Sequence, residues 1–369
     1  MTRKITDRTP KEDGFFMPAE FTPQDHIYMI WPKRKDNWRD GAKPAQKAYR
    51  DVALAICEFT PVTMLADYEC YEEAKKMLGE TVRVVEMTSD DAWCRDCGPS
   101  VLVNHQGQRR GCDWRFNAWG GMVDGLYSPW EADDAIAGKI CELEGMDYYS
   151  LKDFVLEGGS FHVDGRGSVL TTEMCLLSKG RNPGLSKEEI EKTLLDYLGA
   201  SKVLWLKDGI DPEETNGHVD DVACFVRPHE VACIYTEDEE HPFYSVAKEN
   251  YETLCHMKDS DGEILKVHKV CLPKHPVLLE GAETIEEVEG TIPRKNGDIC
   301  IASYLNFLIT NEGVIVPQYG DEHDAMALEQ IQGIFPEKKV VGVFTREIVY
   351  GGGNIHCITQ QIPSPLKSR

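Results

Sequence analysis

No apolar run in the 369 residues approaches the roughly 18 to 20 needed to cross a bilayer, so a transmembrane helix is not expected. Positive charge is scarce. Forty lysines and arginines against sixty-three aspartates and glutamates leave a formal net charge of −23, which repels phosphate backbones and anionic membranes and attracts cations. No nucleic-acid and no membrane partner is therefore expected. The stretch from Met1 to Thr9 is polar and charged and lacks the apolar segment of a signal peptide. With thirteen cysteines, an odd number scattered along the chain, the expectation is free thiols in a reducing, cytoplasmic setting. The one C-x-x-C, Cys94 to Cys97, has no second pair to complete a zinc site. The run Gly351-Gly352-Gly353 is not followed by Gly-Lys-Ser/Thr, so a phosphate loop is excluded as well.

What is present begins with hydrophobic content of 41%, enough for a packed core in one large domain or two average ones. Ile27 to Trp31, stopped by Pro32, reads as a buried strand, and Lys43 to Phe59 as a helix with Tyr49, Val52, Ala53 and Ile56 on one face. A strand over Val62 to Ala66, a helix over Tyr68 to Leu78 and a strand over Val82 to Glu86 continue the α/β alternation.

Beyond residue 90 a unit repeats. A polar residue leads into two β runs joined by a short turn, and a helix follows. Asp96 leads into Ser100 to Val103, Glu157 into Phe161 to Val163, and His218 into Val222 to Val226. A fourth hairpin runs from Asn306 to Pro317 after an acidic insertion, Glu280 to Gly297, and a fifth would start at Cys357 and run out of chain. Sixty-one residues separate Asp96 from Glu157, and 61 separate Glu157 from His218. Helices are expected over Trp130 to Leu143, over Ser186 to Leu198 with a capping box and a Gly199 stop, and over Glu322 to Phe335. Units of this kind cannot bury a sheet face alone and would close around a common axis, converging their leading residues. The incomplete fifth unit implies that the N-terminal strand near Ile27 closes the ring.

The chemistry-bearing residues sit at these leading positions. Cys357 follows three glycines that permit tight backbone geometry, and is the candidate nucleophile. Glu157 precedes two glycines. His218 and Asp220 are two apart, so in an extended segment they share a face. Asp96 is favoured over the flanking thiols, because a redox dithiol needs a helix N-terminus and this one runs into Pro99 and a β segment. One cysteine, one histidine and three carboxylates in an anion-repelling protein suit a planar cation whose N–H groups pair with carboxylates.

The set Trp93-Cys-Arg-Asp96-Cys-Gly-Pro99, Glu157-Gly-Gly, Asn216-Gly-His218-Val-Asp220 and Gly351-Gly-Gly-Asn-Ile-His-Cys357 resembles the guanidine-modifying (pentein) superfamily, and within it the agmatine deiminases most closely. The likeness extends from Gly14 to Gln361. It implies one catalytic domain over residues 1–369, an α/β fold built as a five-bladed propeller of ββαβ modules around a pseudo-fivefold axis. It further implies Cys357 as nucleophile, His218 as general acid and base, Glu157 as the partner that orients and charges His218, and Asp96 and Asp220 as a clamp on the guanidinium. No metal and no cofactor are implied. The small cationic guanidine would be agmatine, whose distal ammonium calls for a carboxylate or an aromatic face. Glu214, Trp93 and Trp119 are the candidates for that end. Nothing in the residues decides between a monomer and a homo-oligomer. The rival readings are a peptidyl-arginine or arginine deiminase on the same fold, a non-catalytic propeller that only binds, and a redox protein using Cys94 and Cys97.

Overall fold

The computed structural model describes residues 2–366. Five separate sheets share one local topology: two antiparallel strands, a helix, and a third strand parallel to the second. Ser100–Val103 pairs antiparallel with Arg109–Arg115, which pairs parallel with Tyr148–Val155 after the helix Ile136–Leu143. The next three units repeat the pattern with Phe161–Val163, Ser168–Thr172 and Lys202–Leu206, then Ala223–Arg227, Glu230–Tyr235 and Lys266–Cys271, then Leu308–Ile309, Gly313–Gln318 and Lys339–Phe344. Their helices are Lys187–Tyr197, Tyr244–His256 and Asp324–Ile334.

The fifth unit is assembled from both ends of the chain. Thr359–Pro363 pairs antiparallel with Gln24–Ile30, Thr359 opposite Met29, and Gln24–Ile30 continues in parallel to Val62–Ala66 across the helix Lys43–Cys57. This is the closure expected from the truncated fifth hairpin. Ile27, Tyr28, Met29 and Ile30 of the strand Gln24–Ile30, the helix residues Tyr49, Val52, Ala53 and Ile56, and Ile358 and Ile362 from the other chain end lie in one buried apolar cluster, which fastens the two ends together.

The expected helices hold with adjustments that have local causes. The one expected over 130–143 is two pieces, Glu131–Asp134 and Ile136–Leu143, and the carboxylate of Asp90 accepts the N–H groups of Ala132 and Asp133 at the start of the first. The one expected from Tyr68 starts at Tyr71, because Asp67 accepts the N–H of Glu69 and holds a turn there. Lys187–Tyr197 carries the capping box of Ser186 and Glu189, and Gly199 turns out of it at φ 63°. Cys94–Cys97, read as leading straight into a strand, forms a single helical turn first. Among the described residues no helix is long and apolar enough to cross a membrane.

Candidate active site

Each sheet's first strand is preceded within a few residues by a polar side chain: Asp96, Glu157, His218, Asn306 and Cys357. All five are buried, and they meet. The backbone around them explains the glycines. A Cβ on Gly159 would fall 2.6 Å from His218 Nδ1, 2.9 Å from Asp220 Oδ2 and 3.0 Å from Asp96 Oδ1, so only glycine lets the three groups share its face. A Cβ on Gly158 would strike the carbonyl oxygen of Arg95.

Asp96 accepts the N–H of Gly159 at 2.9 Å and the indole N–H of Trp119 at 2.9 Å. Trp119 reaches that position because Ala118 and Trp119 both adopt left-handed backbone, φ 53° and 65°. His218 lies with Nδ1 at 4.0 Å from Asp96 and 3.9 Å from Asp220, and Nε2 at 3.8 Å from Glu157. Neither ring nitrogen has a hydrogen-bond partner. Burial acts to lower its pKa, but Asp96, Cys175 and Glu157 together hold the imidazole well above its usual value. At those separations the carboxylates act on the ring as charges.

Glu157, the partner implied for His218, has a second and closer one. Its Oε1 is 2.8 Å from the Arg181 Nε, and this buried pair holds the carboxyl below its usual range against the effect of burial. Arg181 also donates to the Thr215 carbonyl at 2.8 Å, and to Asn216 and the Trp119 carbonyl, so one guanidinium ties Glu157 to the loops carrying His218 and Trp119. Asp220 accepts from the other histidine of the site. His356 Nδ1 is 2.8 Å from Asp220 Oδ2, His356 Nε2 is 2.9 Å from Glu20, and Glu20 pairs with Arg95 at 3.0 Å. Burial would raise Asp220, yet His356 and His218 keep it low.

Cys357 Sγ lies 3.7 Å from Asp220 Oδ2. Burial first, then Asp220, Asp221 and Asp96, push the thiol well above its usual range. Beside it opens a cavity of about 460 Å³ lined by Trp93, Asp96, Trp119, Glu214 and Cys357, with His218, Glu157 and Asp220 behind its floor. Three residues without side chains before the thiol could leave room for a flat cation. Much of that room is taken by protein: a Cβ at Gly351 would strike Trp38, at Gly352 Glu214 and Arg294, and at Gly353 Trp93 and Cys357 itself.

Glu214 lines the cavity with its carboxylate already engaged. Arg294 Nη1 is 2.7 Å from it, and Arg294 also donates to the Gly351 carbonyl at 2.7 Å and to Asn37 at 2.9 Å. The acidic insertion thus contributes Arg294 to the wall. Cys94 and Cys97 are buried, unpaired, and raised in pKa by burial first, so nothing activates them as a dithiol. Among the described residues three buried groups bring metal-type donors within 4.8 Å of one another: Glu20 with His162 and His356, Glu157 with Cys175 and His218, and Asp220 with Asp221 and Cys357. In the first, Arg95 already neutralises the carboxylate, and in the second Arg181 does.

Sequence reasoning did not find Arg181, Arg95, Glu20, Arg294 or a role for Asn306. His356 and Asn306 had a signal, since one precedes the candidate nucleophile and the other heads the fourth hairpin. Arg95 stands inside the motif Trp93 to Pro99, whereas Arg181, Arg294 and Glu20 had no signal.

A chain of five like sheets whose leading residues place a thiol, an imidazole and carboxylates around one cavity is of the guanidine-modifying kind, and the profile of the Porphyromonas-type peptidyl-arginine deiminases matches residues 16–363. The chain belongs to that family. Agmatine deiminase of Enterococcus faecalis, a solved structure, is 62% identical, with 99% of this chain and 100% of that one covered at a TM-score of 0.98. Agmatine deiminase of Pseudomonas aeruginosa is 49% identical over 363 residues, 98% of each chain. A substrate-bound agmatine deiminase of C. jejuni matches 95% or more of both chains, 96% of this one and 97% of that one, at 26% identity and a TM-score of 0.80. The α/β fold and the likeness to agmatine deiminases expected from the motifs both stand.

Proposed function

We propose that this chain is an agmatine deiminase, hydrolysing agmatine to N-carbamoylputrescine and ammonia, and that Cys357 is its nucleophile. The observation that carries the reading is the convergence of five groups on one cavity, Asp96 and Cys357 in its lining and Glu157, His218 and Asp220 buried behind them, with His218 unbonded between three carboxylates. Asp96 and Asp220 clamp the guanidinium. Its positive charge offsets the carboxylates that oppose ionisation of Cys357, so the thiolate forms once substrate is bound. The sulfur attacks the central carbon, the C–N bond to one terminal nitrogen breaks, and His218 gives its proton to the departing ammonia. An amidino group remains on Cys357 as a thiouronium. The neutral His218 then takes a proton from water, the hydroxide adds to the same carbon, and as the C–S bond breaks the hydroxyl proton passes to the departing sulfur, releasing the neutral urea product and restoring the Cys357 thiol. Glu157, held by Arg181, steadies the charged state of His218. No metal or cofactor enters these steps.

The choice of agmatine over arginine has its own support. The two arginines that line the cavity among the described residues are both paired, Arg34 with Asp36 at 2.9 Å and Arg294 with Glu214, which leaves neither free for an α-carboxylate. Trp93 and Trp119 offer aromatic faces to the alkyl chain and ammonium, and Glu214 receives the ammonium by sharing its pair with Arg294. The family's name favours a second reading, peptidyl-arginine as substrate. We further read the five sheets as blades of a propeller around a pseudo-fivefold axis, forming one catalytic domain whose outermost residues, 1 and 367–369, lie outside the described ones, in a protein of a reducing cytoplasm. Ammonia release measured across agmatine, free arginine and a blocked arginine peptide tests the function. Turnover should be confined to agmatine and abolished in Cys357→Ala. Equal rates on the peptide would transfer the reading to its rival.

A further inference from the structure

The fourth member of the series of leading residues, Asn306, is fully buried and has no part in the chemistry above. Its two amide ends are distinguishable from their surroundings. The backbone N–H of His356 donates to Oδ1 at 2.9 Å and that of Cys357 approaches it at 3.4 Å, which assigns the oxygen to the backbone side; Cys357 Sγ lies 3.5 Å from that oxygen and closer to the NH2. The two NH2 hydrogens have two acceptors: Asp221 Oδ1 at 2.9 Å and Cys357 Sγ at 3.2 Å. Among the described residues this is the one side-chain donor within hydrogen-bonding distance of that sulfur.

Resting on the reading of Cys357 as nucleophile, we propose that Asn306 is a catalytic residue, a hydrogen-bond donor that stabilises the Cys357 thiolate while its carbonyl fixes the backbone carrying that thiolate. The chemical need is plain. The charged groups facing Cys357 are Asp96, Asp220 and Asp221, with the phenols of Tyr49 and Tyr319 beyond them and the imidazoles His218 and His356 across Asp220. Three carboxylates oppose a second anion, and a lysine or arginine in the same place would compete with the substrate cation for them. A neutral amide favours the thiolate without adding a charge that would repel guanidinium. The other hydrogen is occupied by Asp221, which prevents the NH2 from turning away. The contact is also non-local in sequence, 51 residues apart, and joins the fourth sheet to the start of the fifth.

The deciding variant is Asn306→Asp, which keeps an acceptor for the His356 N–H and replaces the donor with oxygen. Two readouts are taken on the full chain: the pH dependence of iodoacetamide alkylation at Cys357 without substrate, quantified on the Cys357 peptide, and kcat and KM for agmatine. The expected result is an alkylation profile displaced to higher pH by about one unit or more, hence an about tenfold or greater fall in alkylation rate at fixed pH, with kcat down by at least about tenfold and KM within about threefold. Asn306→Ser, whose hydroxyl can still donate, is expected to fall between wild type and Asn306→Asp, and it decides the matter by the same readouts if the aspartate variant does not fold. A wild-type alkylation profile in folded variants, or a loss confined to KM or thermal stability, overturns the proposal. Failure of the underlying reading looks different: turnover would survive in Cys357→Ala, or alkylation of Cys357 in the wild type would leave activity intact.

Discussion

Two buried histidines flank Asp220 and have opposite surroundings. His356 has both ring nitrogens engaged, one on Asp220 at 2.8 Å and one on Glu20 at 2.9 Å, in a chain that ends on Arg95. His218 has three carboxylates at 3.8 to 4.0 Å and no hydrogen bond on either nitrogen. A buried polar group without a partner is costly, and folded proteins retain few of them. The contrast therefore separates a histidine that holds the site together from one kept available to a reactant. No such division exists between Arg95 and Arg181, which are both spent on glutamates inside the protein.

The comparison can be broken at its most sensitive point by removing Cys357, the proposed nucleophile. Cys357→Ala should lower kcat by at least about 10⁴-fold while agmatine still binds by calorimetry. Next in size, His218→Asn should cost about 10² to 10⁴ in kcat with a smaller fall in the thermal transition than His356→Asn, because the wild-type ring makes no hydrogen bond to lose. If His218→Asn instead unfolds the protein, the contrast is wrong. For His356→Asn the expectation is reversed. It strands Asp220 and Glu20, so urea unfolding should show a loss of about 3 kcal/mol or more, and the activity that remains should follow the folded fraction.

Glu214→Gln is smaller again, an expected rise of about tenfold in KM with kcat nearly unchanged, since the proposed ammonium contact lies far from the reacting carbon and its loss is felt equally in ground and transition states. The least effect is on stability against pH. Burial would raise Glu20, but Arg95, His356 and His162 hold it well below 4.5, so its contribution is complete above that value and fades as pH falls through the lowered one. Burial would lower His356, and Arg95 acts with it, but Glu20 and Asp220 raise it above 6.5, so its contribution is complete below 6.5 and fades as pH rises through the raised value. Unfolding free energy measured from mildly acidic to alkaline pH should be greatest between about 4.5 and 6.5 as regards this pair. Glu20→Gln should flatten both limbs, and His218→Asn should leave them in place.

The repeated unit was open to sequence reasoning because its signals are local. Apolar pairs of strands, turn residues between them, and Ser186 to Glu189 as a capping box all act within a few positions of one another. Asp96, Glu157, His218, Asp220 and Cys357 could be singled out by their place at the heads of hairpins. Trp93 and Trp119 were found for the cavity on weaker grounds, and the structure puts both on its wall. The partners that set the state of these residues could not be read in the same way. Arg181 reaches Glu157 from a loop, Arg294 reaches Glu214 across 80 residues, and Glu20 meets His356 across 336. A lone arginine or glutamate in a loop carries no mark of the partner it will find.

By itself, then, the order of residues determined the kind of unit, its fivefold recurrence with the last one shared between the chain's two ends, and which side chains stand at the head of each. Short-range hydrophobic periodicity and turn chemistry are written into neighbouring positions and survive without the rest of the molecule. Only the tertiary structure decided which histidine is bonded and which is left open, which carboxylates are neutralised, and that Asn306 turns its NH2 toward the sulfur. Those outcomes depend on distances of a few ångströms between groups tens to hundreds of residues apart. In a dry interior such distances decide whether a charge or a hydrogen bond is felt.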